Sequence, residues 1–279
     1  MNKYINTFAN SGDYETYKAS SAFTTPNVAY IEDSKEVKWL NSKKDLYDIY
    51  GTVTDGTTRM KMRINGGGVY LTISDGKLMY NWTGGTITSL RECFLNSTLI
   101  KLEKFGLDTS NVSDMTSMFC NCHHLTSLDL SGFVTSAVTD MNGMFFSLPV
   151  TSLDVSCLNT SSVTSMKEMF YQMSNITNLD LSNFDTSIVT DMTRMFSACV
   201  RLGNLNLSNW DLTNVTTSTK MFIQIGHFVS SVVITMNNTN QTTFDMIKAQ
   251  LVSDNVASHV TIIRDGVNWK YQNGAWVEA

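Results

Sequence analysis

Residues 125–147, LTSLDLSGFVTSAVTDMNGMFFS, return at 176–198 as ITNLDLSNFDTSIVTDMTRMFSA. Further copies lie before, between and after them, with a period of 25 or 26 residues. A period of that length is one strand plus one short helical turn. Such a unit cannot bury its own apolar face and must stack on copies of itself, so the chain is expected to be a solenoid. A stacked chain presents a long exposed face more readily than one deep pocket, which favours recognition or scaffolding over catalysis.

The register follows from the dipeptide that closes each unit: Met118-Phe119, Met144-Phe145, Met169-Phe170, Met195-Phe196 and Met221-Phe222, with Cys93-Phe94 as a degenerate first copy. Counting back gives Val112, Val138, Val163, Val189 and Val215, then Met115, Met141, Met166, Met192 and, as a departure, Ser218. This i, i+3, i+6, i+7 spacing predicts four apolar groups on one face of a helical turn. The Ser or Thr two residues before each Val (Ser110, Ser136, Ser161, Ser187, Thr213) is expected to cap it.

The strand of each unit reads Leu128-Asp129-Leu130, Leu153-Asp154-Val155, Leu179-Asp180-Leu181 and Leu205-Asn206-Leu207, with Leu102-Glu103-Lys104 as a weaker forerunner. Alternation turns the apolar pair inward and the middle residue outward. Stacked in register about 4.8 Å apart, the middle residues form one external row. Phe133, Leu158, Phe184 and Trp210 fill the next corner of the coil.

The LxLSxFxTSxVTxMxxMF pattern over residues 86–235 resembles the BspA-like subfamily of leucine-rich repeats, found in surface proteins of gut and oral bacteria and in proteins of phages that infect them. The fold class expected is therefore an α/β repeat: a BspA-like leucine-rich-repeat solenoid (86–235) with a β-rich N-terminal domain (1–85) and a small α+β C-terminal cap (236–279). The resemblance implies adhesion or protein contact, and it brings no catalytic motif.

Composition bounds the partners. The chain of 279 residues is 42% hydrophobic, only 16% charged, and carries a net charge of -5. Such a surface has no electrostatic attraction for nucleic acid or anionic lipid. No run of about 18 apolar residues suits a membrane span, and the start MNKYINTFANSGDYETYKAS has no apolar h-region, so export by that route is not expected. Residues 6–40 are also similar to N-terminal segments of virion proteins of phages of gut Bacteroidales. Within 1–85, VAYIED (28–33), EVKWL (36–40), TRMKMRI (58–64), VYLTI (69–73) and LMYNW (78–82) read as strands of an anchoring domain. At the other end, QTTFDMIKAQLVSDNV (241–256) places Phe244, Ile247 and Leu251 on one helical face. Strands then follow, broken at Asp265-Gly266 and Asn273-Gly274. There Trp269, Tyr271 and Trp276 serve either the cap or a partner contact.

Chemistry is thin. Cys120-Asn121-Cys122-His123-His124 packs four potential ligands too closely for one tetrahedral ion. The register makes Cys122 equivalent to Leu148, Met173, Cys199 and Ile225, which points to buried thiols and exposed histidines. Five cysteines without paired spacing indicate reduced thiols. No catalytic residue, metal site or cofactor is expected. The ligand-binding candidates are the outward row Asp129, Asp154, Asp180 and Asn206 with the neighbouring Ser131, Ser156, Ser182 and Ser208. These repeated donors and acceptors suit a glycan or a protein, and a purely structural stripe fits them as well. The leading expectation is a non-enzymatic phage virion protein, a fibre or decoration at the virion surface. Its N-terminal domain would meet other virion proteins and its solenoid a host-surface glycan or protein. A homo-oligomer stays open, and the alternative is a bacterial cell-surface adhesin.

Overall fold

The computed structural model describes residues 86–279 except 106, with side chains omitted at 103–105, and before them Ile64 and the backbone of eight strands. Those strands are β1 (Ile5–Phe8), β2 (Asn27–Ile31), β3 (Glu36–Leu40), β4 (Leu46–Tyr47), β5 (Ile49–Val53), β6 (Arg59–Ile64), β7 (Gly67–Ser74) and β8 (Lys77–Met79). Next come β9 (Leu99–Phe105), β10 (Ser127–Leu128), β11 (Asn178–Asp180), β12 (Asn204–Asn206), β13 (Val232–Thr235), helix α1 (Gln241–Ser253), β14 (Val260–Arg264), β15 (Val267–Gln272) and β16 (Ala275–Glu278). The first four strands form one sheet. A second runs β10-β9-β5-β8-β7-β6, so β9 of the first coil joins the strands before it. The third runs β11-β12-β13-β14-β15-β16.

Residues 86–235 wind into a β-solenoid of about six turns. Its continuous seam is a chain of parallel bridges, Ser89↔Asp114↔Asp140↔Ser165↔Asp191↔Thr217, one residue from each coil. The Leu-Asp-Leu strands are shorter and broken: β11 pairs β12 and β12 pairs β13 in parallel register, whereas 153–155 forms no strand. The apolar positions are where the register puts them. Val112, Met115, Met118 and Phe119 are buried, as are the same positions of the next three coils.

The helical turn expected between Val and Met-Phe is corrected by the structure. The segment is a ribbon of consecutive β-turns. Alternate N–H groups close local bonds three residues back (Met118 to Met115 O, Cys120 to Ser117 O). The others cross to the next coil (Ser117 to Asn142 O, Phe119 to Met144 O, Asn121 to Phe146 O). Left-handed residues recur four apart in each ribbon, such as Ser117 and Asn121, Glu168 and Gln172, and Arg194 and Ala198. An α-helix cannot contain them, since each reverses the hand of the turn. Inward spacing is the same for helix and ribbon, but the ribbon directs half of its donors along the stack, where they bind coil to coil. The expected N-cap is corrected with it: Ser110, Ser161, Ser187 and Thr213 donate their N–H groups to the side-chain oxygens of Asp108, Asn159, Asp185 and Asp211 at 2.9–3.0 Å. The acidic or amide residue two positions earlier holds the turn, and Val134 interrupts that series before Ser136.

Four columns fill the coil. Phe94, Phe119, Phe145, Phe170, Phe196 and Phe222 stack face to face with centroids 5.4, 6.1, 5.6, 5.9 and 5.7 Å apart. Each of the Met columns is buried beside it. The fourth column is polar: Thr109, Thr135, Thr160 and Thr186 are at most 2% exposed. Thr160 Oγ1 donates to Asp185 O at 3.0 Å and accepts Asp185 N–H at 2.8 Å, and the other three staple their following coils in the same way.

Leu212 takes the place of Thr in the last coil, and its N–H is accepted by Thr243 of α1 at 2.8 Å. Asp254, just past the helix, accepts Phe222 N–H at 2.8 Å. Helix α1 is started by Asn240, whose side chain accepts Thr243 N–H, and it buries Phe244, Ile247 and Leu251. Beyond it, β14-β15 and β15-β16 turn through Asp265-Gly266 and Asn273-Gly274. All four turn residues have positive φ, the requirement of a tight two-residue hairpin that glycine meets without strain. Trp269 packs edge-on against Phe244, Tyr271 lies edge-on to Trp276, and Trp276 Nε1 donates to Lys248 O, so these rings lean on α1.

Candidate functional site

The outward row begins at the strands. In β11 and β12, Asn178 and Asp180, then Asn204 and Asn206, alternate with the buried Leu179 and Leu205, so the four polar side chains share the solvent face of the sheet. Parallel register sets Asn178 beside Asn204 and Asp180 beside Asn206. Asn204 Nδ2 donates to Asn178 Oδ1 at 2.7 Å. Together with Thr235 these residues line a shallow groove of about 150 Å³.

Each member of the row also serves its own coil. Asp129, Asp154 and Asp180 accept the N–H groups of Ser131, Ser156 and Ser182 at 2.8, 2.9 and 3.0 Å. Asn206 Oδ1 accepts both the N–H and the hydroxyl of Ser208, at 3.1 and 2.7 Å. These are Asx turns, which close the bend after the strand and use one side-chain oxygen of each residue. Hydrogen bonding from the hydroxyl and N–H of Ser131 and Ser156 holds the carboxyls of Asp129 and Asp154 below their ordinary range. The N–H of Ser182 does the same for Asp180. The three carboxylates of the row are thus ionised near neutral pH, and all four side chains are fixed in place. Asp129 and Asp154 are exposed but lie outside the groove that holds Asp180 and Asn206, and Ser208 is buried at 7% exposure.

The residue after the Ser forms a column that the register does not reveal as functional. Asn183 Nδ2 reaches back to the carbonyls of Val155, Ser156 and Leu158, Asn209 Nδ2 reaches Ser182 O, and Cys157 Sγ reaches Leu130 O. It repairs the open corner of the coil before. An Asn recurring beside the Ser was the available signal.

Cys120, Cys122 and Cys199 are buried, while His123 and His124 are exposed. Burial pushes the Cys120 and Cys122 thiols up to about 11 and the Cys199 thiol up to about 12. They are therefore protonated near neutral pH and poor metal ligands. Among the described residues no group of three or more His, Cys, Asp or Glu is placed to hold a metal ion. No helix there is long and apolar enough to cross a membrane.

A family model described as "Mycoplasma protein of unknown function, DUF285" matches residues 72–156 and again 148–258, spanning the solenoid and α1. No curated protein and no solved structure matches the chain significantly.

Proposed function

The chain belongs to the DUF285 family, and on that premise we propose that it is a non-enzymatic display protein of a phage virion, a fibre or surface decoration. In this reading the coil is a leucine-rich repeat of the BspA-like kind. Strands β1–β8 belong to a domain that anchors it to other virion proteins, and α1 with β14–β16 closes its far end. Support for closure comes from Asp254, which accepts the N–H group of Phe222 where a seventh coil would, and from Thr243, which accepts the N–H group of Leu212. The solenoid is turned toward host or gut surfaces, where it meets a glycan or a protein.

One observation carries the display function. The turns of the coil themselves hold Asp180 and Asn206, with Asn178 and Asn204, at fixed spacing on an exposed sheet face. Such a face loses little conformational entropy on binding a polar partner. The phage setting rests on the likeness of residues 6–40 to virion segments. A bacterial cell-surface adhesin is the second reading, supported by the family's bacterial name.

Immunogold electron microscopy separates the two. Antibody to residues 86–235 is applied to purified phage particles of gut Bacteroidales and to uninfected cells. Label at fixed sites on particles is expected; label on uninfected cells with bare particles overturns the virion assignment in favour of the adhesin.

A further inference from the structure

The last coil has donors that no successor receives. Met192, Arg194, Phe196 and Ala198 give their N–H groups to the carbonyls of Thr217, Thr219, Met221 and Ile223, and every earlier coil does the equivalent. In the last ribbon the N–H of Phe222 ends on Asp254 Oδ2, whereas those of Ser218 and Lys220 before it and Gln224 after it have no acceptor among the described residues. Thr219 N–H lacks one as well. Of its counterparts, Thr116, Asn142 and Thr193 are held by the carboxylates of Asp114, Asp140 and Asp191, whereas Lys167 follows Ser165 and has no such bond; Thr217 likewise stands where that Asp would be.

The three successive residues that carry these N–H groups border a cleft of about 430 Å³ between the last ribbon and α1, lined also by Thr217, Gln250 and Asp254. Lys220 has φ +62°. A left-handed residue within such a run gathers consecutive N–H groups into a concavity that receives an anionic oxygen. The lining holds one cation, Lys220, and one carboxylate, Asp254, which is 8% exposed and already bonded to Phe222. Asp254 also interrupts the row between Lys220 and Gln224, leaving donors on the cleft side for one short acceptor group and no length for an added peptide strand. The rest of the lining is hydroxyl and amide, with Ile223 its one aliphatic residue. Its volume falls in the range of small-molecule sites.

We propose that this cleft binds an acidic sugar. The sugar carboxylate takes the place of the missing Asp and the missing next-coil carbonyls at Ser218, Thr219 and Lys220. Its hydroxyls pair with the Thr, Ser and Gln side chains around it. The inference deepens the glycan half of the display reading and rests on it, naming the sugar class and a site apart from the sheet face.

The test is a titration of the full chain, followed by amide NMR, with glucuronate, acetate and glucose in parallel. Saturable shifts of the Ser218, Thr219 and Lys220 amides are expected with glucuronate at millimolar concentration. Acetate should bind more weakly, and glucose should leave those amides unmoved. Lys220→Asn keeps a residue that tolerates positive φ, and it should weaken glucuronate roughly two- to fivefold, the scale of one exposed ion pair. Absence of saturation with glucuronate overturns the proposal. So does acetate binding equally well, which reduces the site to a bare carboxylate nest, or glucose shifting the same amides. Particle labelling can succeed or fail whatever this titration gives, so the two readings fall separately.

Discussion

Thr160→Val removes one hydroxyl from the polar column inside the coil and nothing else of comparable size. Thr160 is 1% exposed, and its Oγ1 both donates to Asp185 O and accepts Asp185 N–H. Each bond contributes about 1 kcal/mol net, and orphaning part-buried main-chain groups costs a further 1 kcal/mol or so. The methyl group gained returns about 0.8 kcal/mol by burial. The net loss is therefore about 2 kcal/mol. With a urea slope of roughly 1–3 kcal/mol/M, the midpoint should fall by about 1 M. Thr164→Val supplies the control: its hydroxyl also reaches the coil before, donating to Thr139 O at 3.2 Å, but at an exposed position. That change should stay within about 0.5 kcal/mol. Urea unfolding followed by circular dichroism decides the matter. Equal midpoints for the two variants would refute the claim that the buried Thr column staples the coils.

Met166→Asp places a carboxylate at a fully buried position and should abolish cooperative unfolding of the solenoid; a near-normal thermal transition would contradict the register. Asp154→Ala loses the Asx turn to Ser156 at the surface and should cost about 0.5–1.5 kcal/mol by urea titration, with the fold intact. Asp254→Ala orphans Phe222 N–H and should cost about 1.5–3 kcal/mol, while Asp254→Asn, which keeps an acceptor, should cost less. Acid should loosen the turns. The carboxyls of Asp108, Asp129, Asp154 and Asp211 are lowered in the folded state by hydrogen bonds from the Ser or Thr two residues on. Their contribution is complete above the unfolded pKa of about 3.9 and is lost as pH falls through the lower folded values. Stability measured from pH 5 down to 2 should decline, and a flat profile would show that these bonds do not depend on ionisation.

The solenoid was legible because its inward positions answer to volume and polarity alone. Val112, Met115, Met118 and Phe119 must lie inside whether the backbone between them is helix or ribbon. The choice between helix and ribbon was not legible for the same reason. Residues such as Glu168 and Arg194 take positive φ because the neighbouring coil receives their N–H groups, and nothing in a local window records that neighbour. The outward Asp row could be read from alternation. Its second duty, holding the Ser N–H, is also local and follows from the recurring Asp-x-Ser. The Thr staple escaped notice because Thr160 bonds to Asp185, and its apolar surroundings exist only once the coils are stacked.

The ribbon has a consequence for how such a chain can change over time. Every interior coil receives and passes on the same cross-coil main-chain bonds, and the exception at the far end is met in part by Thr243, Gln250 and Asp254 outside the repeat. Instructions for stopping are thus written separately from instructions for continuing. Unequal recombination between two copies would lengthen or shorten the molecule by one coil, about 4.8 Å, with both ends still matched. Reach is therefore a quantity this architecture can inherit in whole steps.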